Sequence, residues 1–162
     1  MSQQPAYLLG VDVGLHTGLA LFNDQARLLW YRSHHIASAA KLKKIIGKLL
    51  REPPQPSHLY LEGGGPLLDL WLHEANKLGL TTVRLHAEQW RQKLFYARQQ
   101  RSGSQAKKEA DALARQVIDA LGGKKPTSLR HDTAEAILIG LFGLLELGWL
   151  ENWPPNRTRV EG

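Results

Sequence analysis

Residues 7–22 read Tyr-Leu-Leu-Gly-Val-Asp-Val-Gly-Leu-His-Thr-Gly-Leu-Ala-Leu-Phe, and they constrain the fold more than any other stretch of the chain. Two apolar runs flank a glycine-bracketed turn, Gly14 to Gly18, which predicts a β-hairpin. Asp12 is the anomaly within it. Aspartate is depleted in strands and rarely buried without a partner. As an unpaired ion in a core strand it costs several kcal/mol, so a compensating charge is expected, commonly a metal ion. The alternative is that Asp12 only caps the turn that follows it.

After the hairpin, the short Asn23-Asp24-Gln25 turn predicts a third, antiparallel strand over Ala26–His35. Apolar residues at Leu42, Ile45, Ile46, Leu49 and Leu50 form a helical stripe over Ala39–Leu50. His58–Glu62 is a short strand that finishes on a second acid. Gly63-Gly64-Gly65-Pro66 then breaks it and starts a helix over Leu67–Leu78, with the proline at a position suited to a helix start. A fifth strand over Leu80–Leu85, a short helix over Glu88–Phe95 and a polar loop over Arg98–Gln105 follow. Helices over Ala106–Leu121 and Asp132–Leu147 complete the chain. Three antiparallel strands followed by helix–strand–helix–strand–helix units imply an α/β fold, one mixed five-stranded sheet with helices on both faces. The expected organisation is one domain over residues 1–150 and a frayed tail over 151–162. If the strand ending at Glu62 lies parallel beside the first strand, Glu62 and Asp12 face each other, where chemistry collects in such sheets.

Composition narrows the chemistry. Cysteine is absent, so disulfides and thiolate zinc sites are excluded and any metal must sit on oxygen or histidine ligands. The N-terminus lacks a basic region and an apolar signal core, and Ala136–Leu150 is too short to span a bilayer, so a cytoplasmic protein is expected. Residues 91–130 hold ten basic residues against three acidic ones, a local +7, whereas the remainder nets −1. Such a concentrated positive field is the footprint of a polyanion partner, although a solvated helix face has the same composition.

The third acidic feature is His131-Asp132-Thr133-Ala134-Glu135 at the start of the last helix. Residues three apart share a helix face, so Asp132 and Glu135 project together. Asp132 also suits a plain first-turn acid favoured by the helix dipole, and His131 a plain helix-leading residue. Four acids from three segments, two of them in apolar surroundings, form a set.

In this order, Asp12-Val13-Gly14…Thr17-Gly18 on a first strand, Glu62 closing a later strand and Asp132…Glu135 opening the C-terminal helix resemble the RuvC family of Holliday-junction resolvases, within the RNase H-like fold. Trp90-Arg91, the Gly/Ser loop and Lys107-Lys108-Glu109-Ala110 resemble the phage and bacterial RuvC-like members, so the similarity runs over about Tyr7–Gly148. The resemblance implies a homodimer that nicks two opposed strands of a four-way DNA junction. It implies Asp12, Glu62, Asp132 and Glu135 as catalytic residues and ligands of two Mg²⁺ or Mn²⁺ ions, with Asp12 bridging them and His131 as an auxiliary group. Arg91, Lys107, Lys108 and Arg130 are the candidates for phosphate contacts. Leu67, Leu70 and Trp71 are the candidates for the dimer interface, because their helix carries more apolar surface than one sheet face needs. Two departures stand out: the second acid of the last helix is Glu135 where the family commonly has aspartate, and glycines follow Glu62 where the classical enzymes carry an aromatic residue. A YqgF-like role in RNA processing and a non-catalytic nucleic-acid-binding module are the alternatives. An actin-like ATPase needs a far longer, duplicated chain.

Overall fold

A computed structural model describes residues 4–94 and 104–155. Strands β1 (Tyr7–Asp12), β2 (His16–Asn23), β3 (Leu28–His35), β4 (His58–Glu62) and β5 (Thr81–Leu85) form one sheet in the order β3-β2-β1-β4-β5. The first three pair antiparallel, and β4 and β5 continue from β1 in parallel. This is the mixed sheet expected from the alternation of apolar segments.

Side-chain alternation divides the sheet into two cores. Leu9, Val11, Leu19, Leu21, Leu59 and Leu61 face helices α1 (Ala39–Leu49) and α2 (Gly65–Lys77). Leu8, Ala20, Phe22 and Tyr60 face α3 (Ala87–Leu94), α4 (Ser104–Ala120) and α5 (His131–Leu147) on the other side. Residues 133–144 of α5 are buried without interruption, as befits a helix that is apolar on all sides and sandwiched between a sheet and other helices. It lies unusually close to the sheet: a Cβ at Gly140 would enter the Phe22 ring, and one at Gly10 would stand 2.5 Å from the Ala136 carbonyl.

Three expectations are corrected by this arrangement. The hairpin turn is shorter than Gly14–Gly18, because β2 already begins at His16 and Gly18 lies within the ladder opposite Asp12. Asp12 therefore ends β1 and does not sit mid-strand. Trp71 is fully buried beside Leu68 and Ala75 in the α1/α2 core, so it cannot face a partner, whereas Leu67 and Leu70 are only partly buried. Trp153 packs against the α5-side core. The rest of the tail, 156–162, and most of the Arg98–Gln105 loop lie outside the described residues.

Candidate active site

Asp12 is flanked in register by Glu62 on β4 and by Gly18 on β2. Parallel partners in register point to the same face, so both carboxylates stand on the α5 side at the C-terminal ends of adjacent strands. The Val13 N–H donates to the Glu62 carbonyl at 2.9 Å, which carries the pairing one residue beyond both acids. Gly63 follows with φ +144°, a backbone state that disfavours any side chain, and Val13 packs where its Cβ would be. Gly63 is thus explained by the backbone path, and Gly65 by its φ of +68°.

Gly18 brings in the third acid. A Cβ there would fall on the main-chain carbonyl of Asp132, so only glycine lets the first turn of α5 settle over the strand pair. Ser33, which pairs with Gly18 from β3, donates its hydroxyl to Asp132 Oδ2 at 2.7 Å. Asp132 Oδ1 accepts the Thr133 N–H at 2.8 Å, satisfying a donor that the helix start leaves open. Glu135 lies one turn further along and is 4 % exposed. Its Oε1 accepts from Arg91 Nη2 at 2.9 Å and stands 3.1 Å from His131 Nε2.

The electrostatics are those of an acid cluster short of cations. Burial pushes Asp12 up to about 8, and the charges of Glu62 and Glu135, a hydrogen bond with Glu62 and the charge of Asp132 all push the same way. Burial also raises Glu135 to about 7; Arg91 opposes the rise and Glu62 adds to it. His131 is lowered by burial and by nearby Lys107 and Arg91, with Asp132 and Asp111 opposing. Repelling carboxylates of this kind gain from any added divalent cation.

The donor set fits Mg²⁺ or Mn²⁺: hard oxygen ligands with no sulfur, near enough that each acid perturbs Asp12. Among the described residues no three His, Asp or Glu side chains already close on one point as a cage. Glu135 is turned to Arg91 and His131, and Asp132 to Ser33. Mg²⁺ keeps several waters and needs only one or two carboxylates, for which Asp12 and Glu62 suffice.

The other expected residues divide. Lys107 and Lys108 are exposed on α4 and, with Asp111, Leu129 and His131, line a depression of about 280 Å³ beside the start of α5. Arg130 is exposed at the N-cap of α5. Arg91 is not a free surface cation, because it reaches into the acid cluster. Trp90 is fully buried, a core residue. Sequence reasoning missed Ser33, whose type carries no signal in a strand, and misread Gly18 as a turn residue. It also missed His16 and His35, whose exposed rings stack 4.1 Å apart at the edge of the same sheet face.

Fold and site together define a class. The chain has the RNase H-like fold, with acids at the ends of its central strands and at the start of its last helix. It is similar to RuvC of T. thermophilus in complex with a Holliday-junction substrate, with a TM-score of 0.64 and 18 % identity over 88 % of this chain and 96 % of that one. It is also similar to the Fowlpox virus resolvase in a complex with Holliday-junction DNA, at 0.62 and 17 % over 87 % and 98 % of the two chains. No family model matches the sequence, and no curated protein matches it.

Proposed function

We propose that this chain is a divalent-metal-dependent endonuclease that resolves four-way DNA junctions by paired phosphodiester hydrolysis. The observation that carries the proposal is the in-register Asp12–Glu62 pair set beneath the Asp132–Glu135 turn of α5. Its occurrence in a fold shared along nearly the whole chain with two junction-bound resolvases supports that reading.

In this proposal, Asp12, Glu62, Asp132 and Glu135 hold two Mg²⁺ or Mn²⁺ ions. When bound, the ions supply activation of the attacking water and charge relief at the scissile phosphate. Ser33 holds the Asp132 carboxylate in one orientation. Arg91 and His131 keep Glu135 in place until DNA arrives. A phosphate then competes for the Arg91 guanidinium, a bidentate donor suited to it, and releases a Glu135 oxygen. Lys107, Lys108 and Arg130 take flanking phosphates along the depression beside α5. Paired nicks on a two-fold junction call for a homodimer, for which the partly buried Leu67, Leu70 and Leu72 on α2 offer the patch and the fully buried Trp71 does not. The domain that does this runs from about Tyr7 through Trp153. No described helix is long and apolar enough to cross a membrane.

The test is cleavage in Mg²⁺ across a four-way junction, a linear duplex and an RNA–DNA hybrid of matched sequence. The expected result is nicking of two opposed junction strands with the duplex left intact. Preferential cleavage of the hybrid, or retention of the junction in a gel without any metal-dependent nicking, overturns the proposal.

A further inference from the structure

A second basic surface lies on the opposite side of the sheet from the acids. Helix α1 carries Lys41, Lys43, Lys44 and Lys48 without a single acid, and Arg51 follows its end. Across residues 25–61, Glu52 is the one acid against seven basic residues. In the structure, Lys43, Lys44, Lys48 and Arg51 line a groove of about 710 Å³ between α1 and α2, whose other wall bears Glu74 and Lys77. Lining positions 40, 44 and 48 and positions 43, 47 and 51 form two adjacent rows along α1, and in these rows Ala40 and Gly47 leave room between the cations.

The acids nearby are already matched. Glu52 is held by Arg32 at 2.9 Å, and Glu74 by Lys77 at 3.1 Å. Among the described residues, none of Lys43, Lys44, Lys48 and Arg51 stands in an ion pair. Arg51 folds back instead to donate to the Gly47 carbonyl at 2.9 Å, at the negative end of the α1 dipole. Like charges three and four residues apart repel, so the helix carries a standing cost that an anion relieves.

We propose that this groove binds the sugar–phosphate backbone of a duplex DNA arm away from the cut. The inference rests on the nuclease reading and extends it to a second DNA-binding surface. Its dimensions suit a backbone: Lys43 to Arg51 spans roughly 12 Å at the helical rise, the axial length of three or four nucleotides of one strand. Its chemistry suits one as well, because lysine ammoniums are mobile point charges that follow a phosphate row without reading sequence. An anionic lipid surface is the poorer match. Membrane-surface helices present Trp, Phe or Leu beside their lysines, whereas Leu42 and Ile46 of α1 are fully buried, Ile45 and Leu49 are partly buried against the same core, and the only exposed large hydrophobics among the described residues, Leu15 and Leu29, lie elsewhere. The groove opens on the α1/α2 face and the acids on the α5 face, so a single nucleotide cannot occupy both. A branched substrate has further arms to place.

The absence of cysteine supplies the experiment. Lys44→Cys and Lys107→Cys each create a unique thiol for a photoactivated crosslinker, and both labelled proteins are irradiated on a four-way junction. Lys107 is expected to crosslink next to the cut and Lys44 to an arm at a distance from it. In parallel, the triple variant Lys43→Gln, Lys44→Gln, Lys48→Gln is expected to weaken junction binding about tenfold or more. It should also reduce the slope of log K against log salt by up to about 3 units, near one for each phosphate that is no longer neutralised. Crosslinking from Lys107 but not from Lys44, with the salt slope of the triple variant unchanged, overturns this inference and leaves the nuclease reading standing. Failure of both labels to reach DNA overturns the two together. Loss of binding to phosphatidylserine vesicles by the triple variant, with junction binding intact, assigns the groove to a lipid surface and overturns the proposal.

Discussion

Two glutamates, one on each side of the sheet, show how differently the two faces treat buried charge. Glu74 on α2 is 5 % exposed and bound by Lys77; Glu135 on α5 is 4 % exposed and bound by Arg91. Both have a cationic partner, yet the Glu74 carboxyl, at a site where desolvation costs little, is held below its ordinary range, and that of the deeply set Glu135 is raised to about 7. For Glu74 the Lys77 hydrogen bond is the largest influence, and Lys43 and His73 reinforce it. For Glu135 burial dominates, and Glu62 adds repulsion that a single arginine does not offset. Around Glu74 the carboxylate is matched by cations that outnumber it. Around Glu135 carboxylates outnumber the cations, which is the signature of a site that waits for a ligand.

The comparison is broken most completely at Asp12. Asp12→Asn removes the most perturbed acid and is expected to abolish Mg²⁺-dependent junction cleavage while keeping or tightening DNA binding, since it deletes negative charge facing phosphate. Near wild-type nicking by this variant would sink the site assignment. Next in size is Gly18→Ala, which places a methyl group on the Asp132 carbonyl. Overpacking against backbone that cannot swing aside is expected to cost about 3 kcal/mol, a fall in Tm of roughly 6–12 °C for a domain of this size. Residual cleavage should fall further than stability alone explains, because α5 carries Asp132 and Glu135. A melting curve identical to wild type rules out the close approach.

What was legible beforehand follows the same division. The strands, one mixed sheet and the helices on both faces could be read from alternation and spacing, because apolar burial is a periodic property of sequence. The Asp12–Glu62 pairing was legible only as a condition, since it required the Glu62 strand to lie parallel beside the first and in register with it. What was not legible depends on single contacts between distant segments. Gly18 looks like a turn glycine until α5 is placed over it. Ser33 has no signal until Asp132 arrives, 99 residues later. Arg91 counted as one cation in a basic segment, and only its approach to Glu135 separates it from the surface lysines. Trp71 shows the converse failure: its helical spacing with Leu67 and Leu70 marked an apolar helix but not which part of it meets the sheet.

Titration sharpens the contrast with a smaller effect. Asp12 has a folded-state pKa of about 8 against an ordinary 3.8, so the native protein holds a proton that the unfolded chain releases. Its contribution to stability is present below about pH 4 and is lost as pH rises toward 8. Glu135 acts in the same direction up to about 7. The lowered histidines, His58 and His131, slope the opposite way in the acid range, so the clean quantity is a difference between two proteins. Without metal, the Tm advantage of Asp12→Asn over wild type is expected to widen steadily from pH 5 to pH 8. Added Mg²⁺ should shrink it at pH 8 by stabilising wild type alone. A pH-independent difference removes Asp12 from the charged cluster.

The smallest effect tests the two glutamates against each other. Glu74→Gln breaks the ion pair with Lys77 and leaves Lys43, Lys44, Lys48 and Arg51 facing one another with no carboxylate between them. The variant is expected to melt about 1–3 °C lower, the scale of a single well-placed pair at a partly solvated site. The loss should grow at low salt, where repulsion among the lysines is least screened. Glu135→Gln keeps a side-chain oxygen for Arg91 and His131 while removing a charge that Glu62 and Asp12 repel. In metal-free protein at pH 8 it is expected to melt with wild type or slightly above it. The pair therefore separates in sign under one set of conditions, which thermal denaturation at two salt concentrations can read. If both variants lose stability equally, Glu135 is an ordinary buried ion pair, and the acid cluster is balanced by its own residues after all.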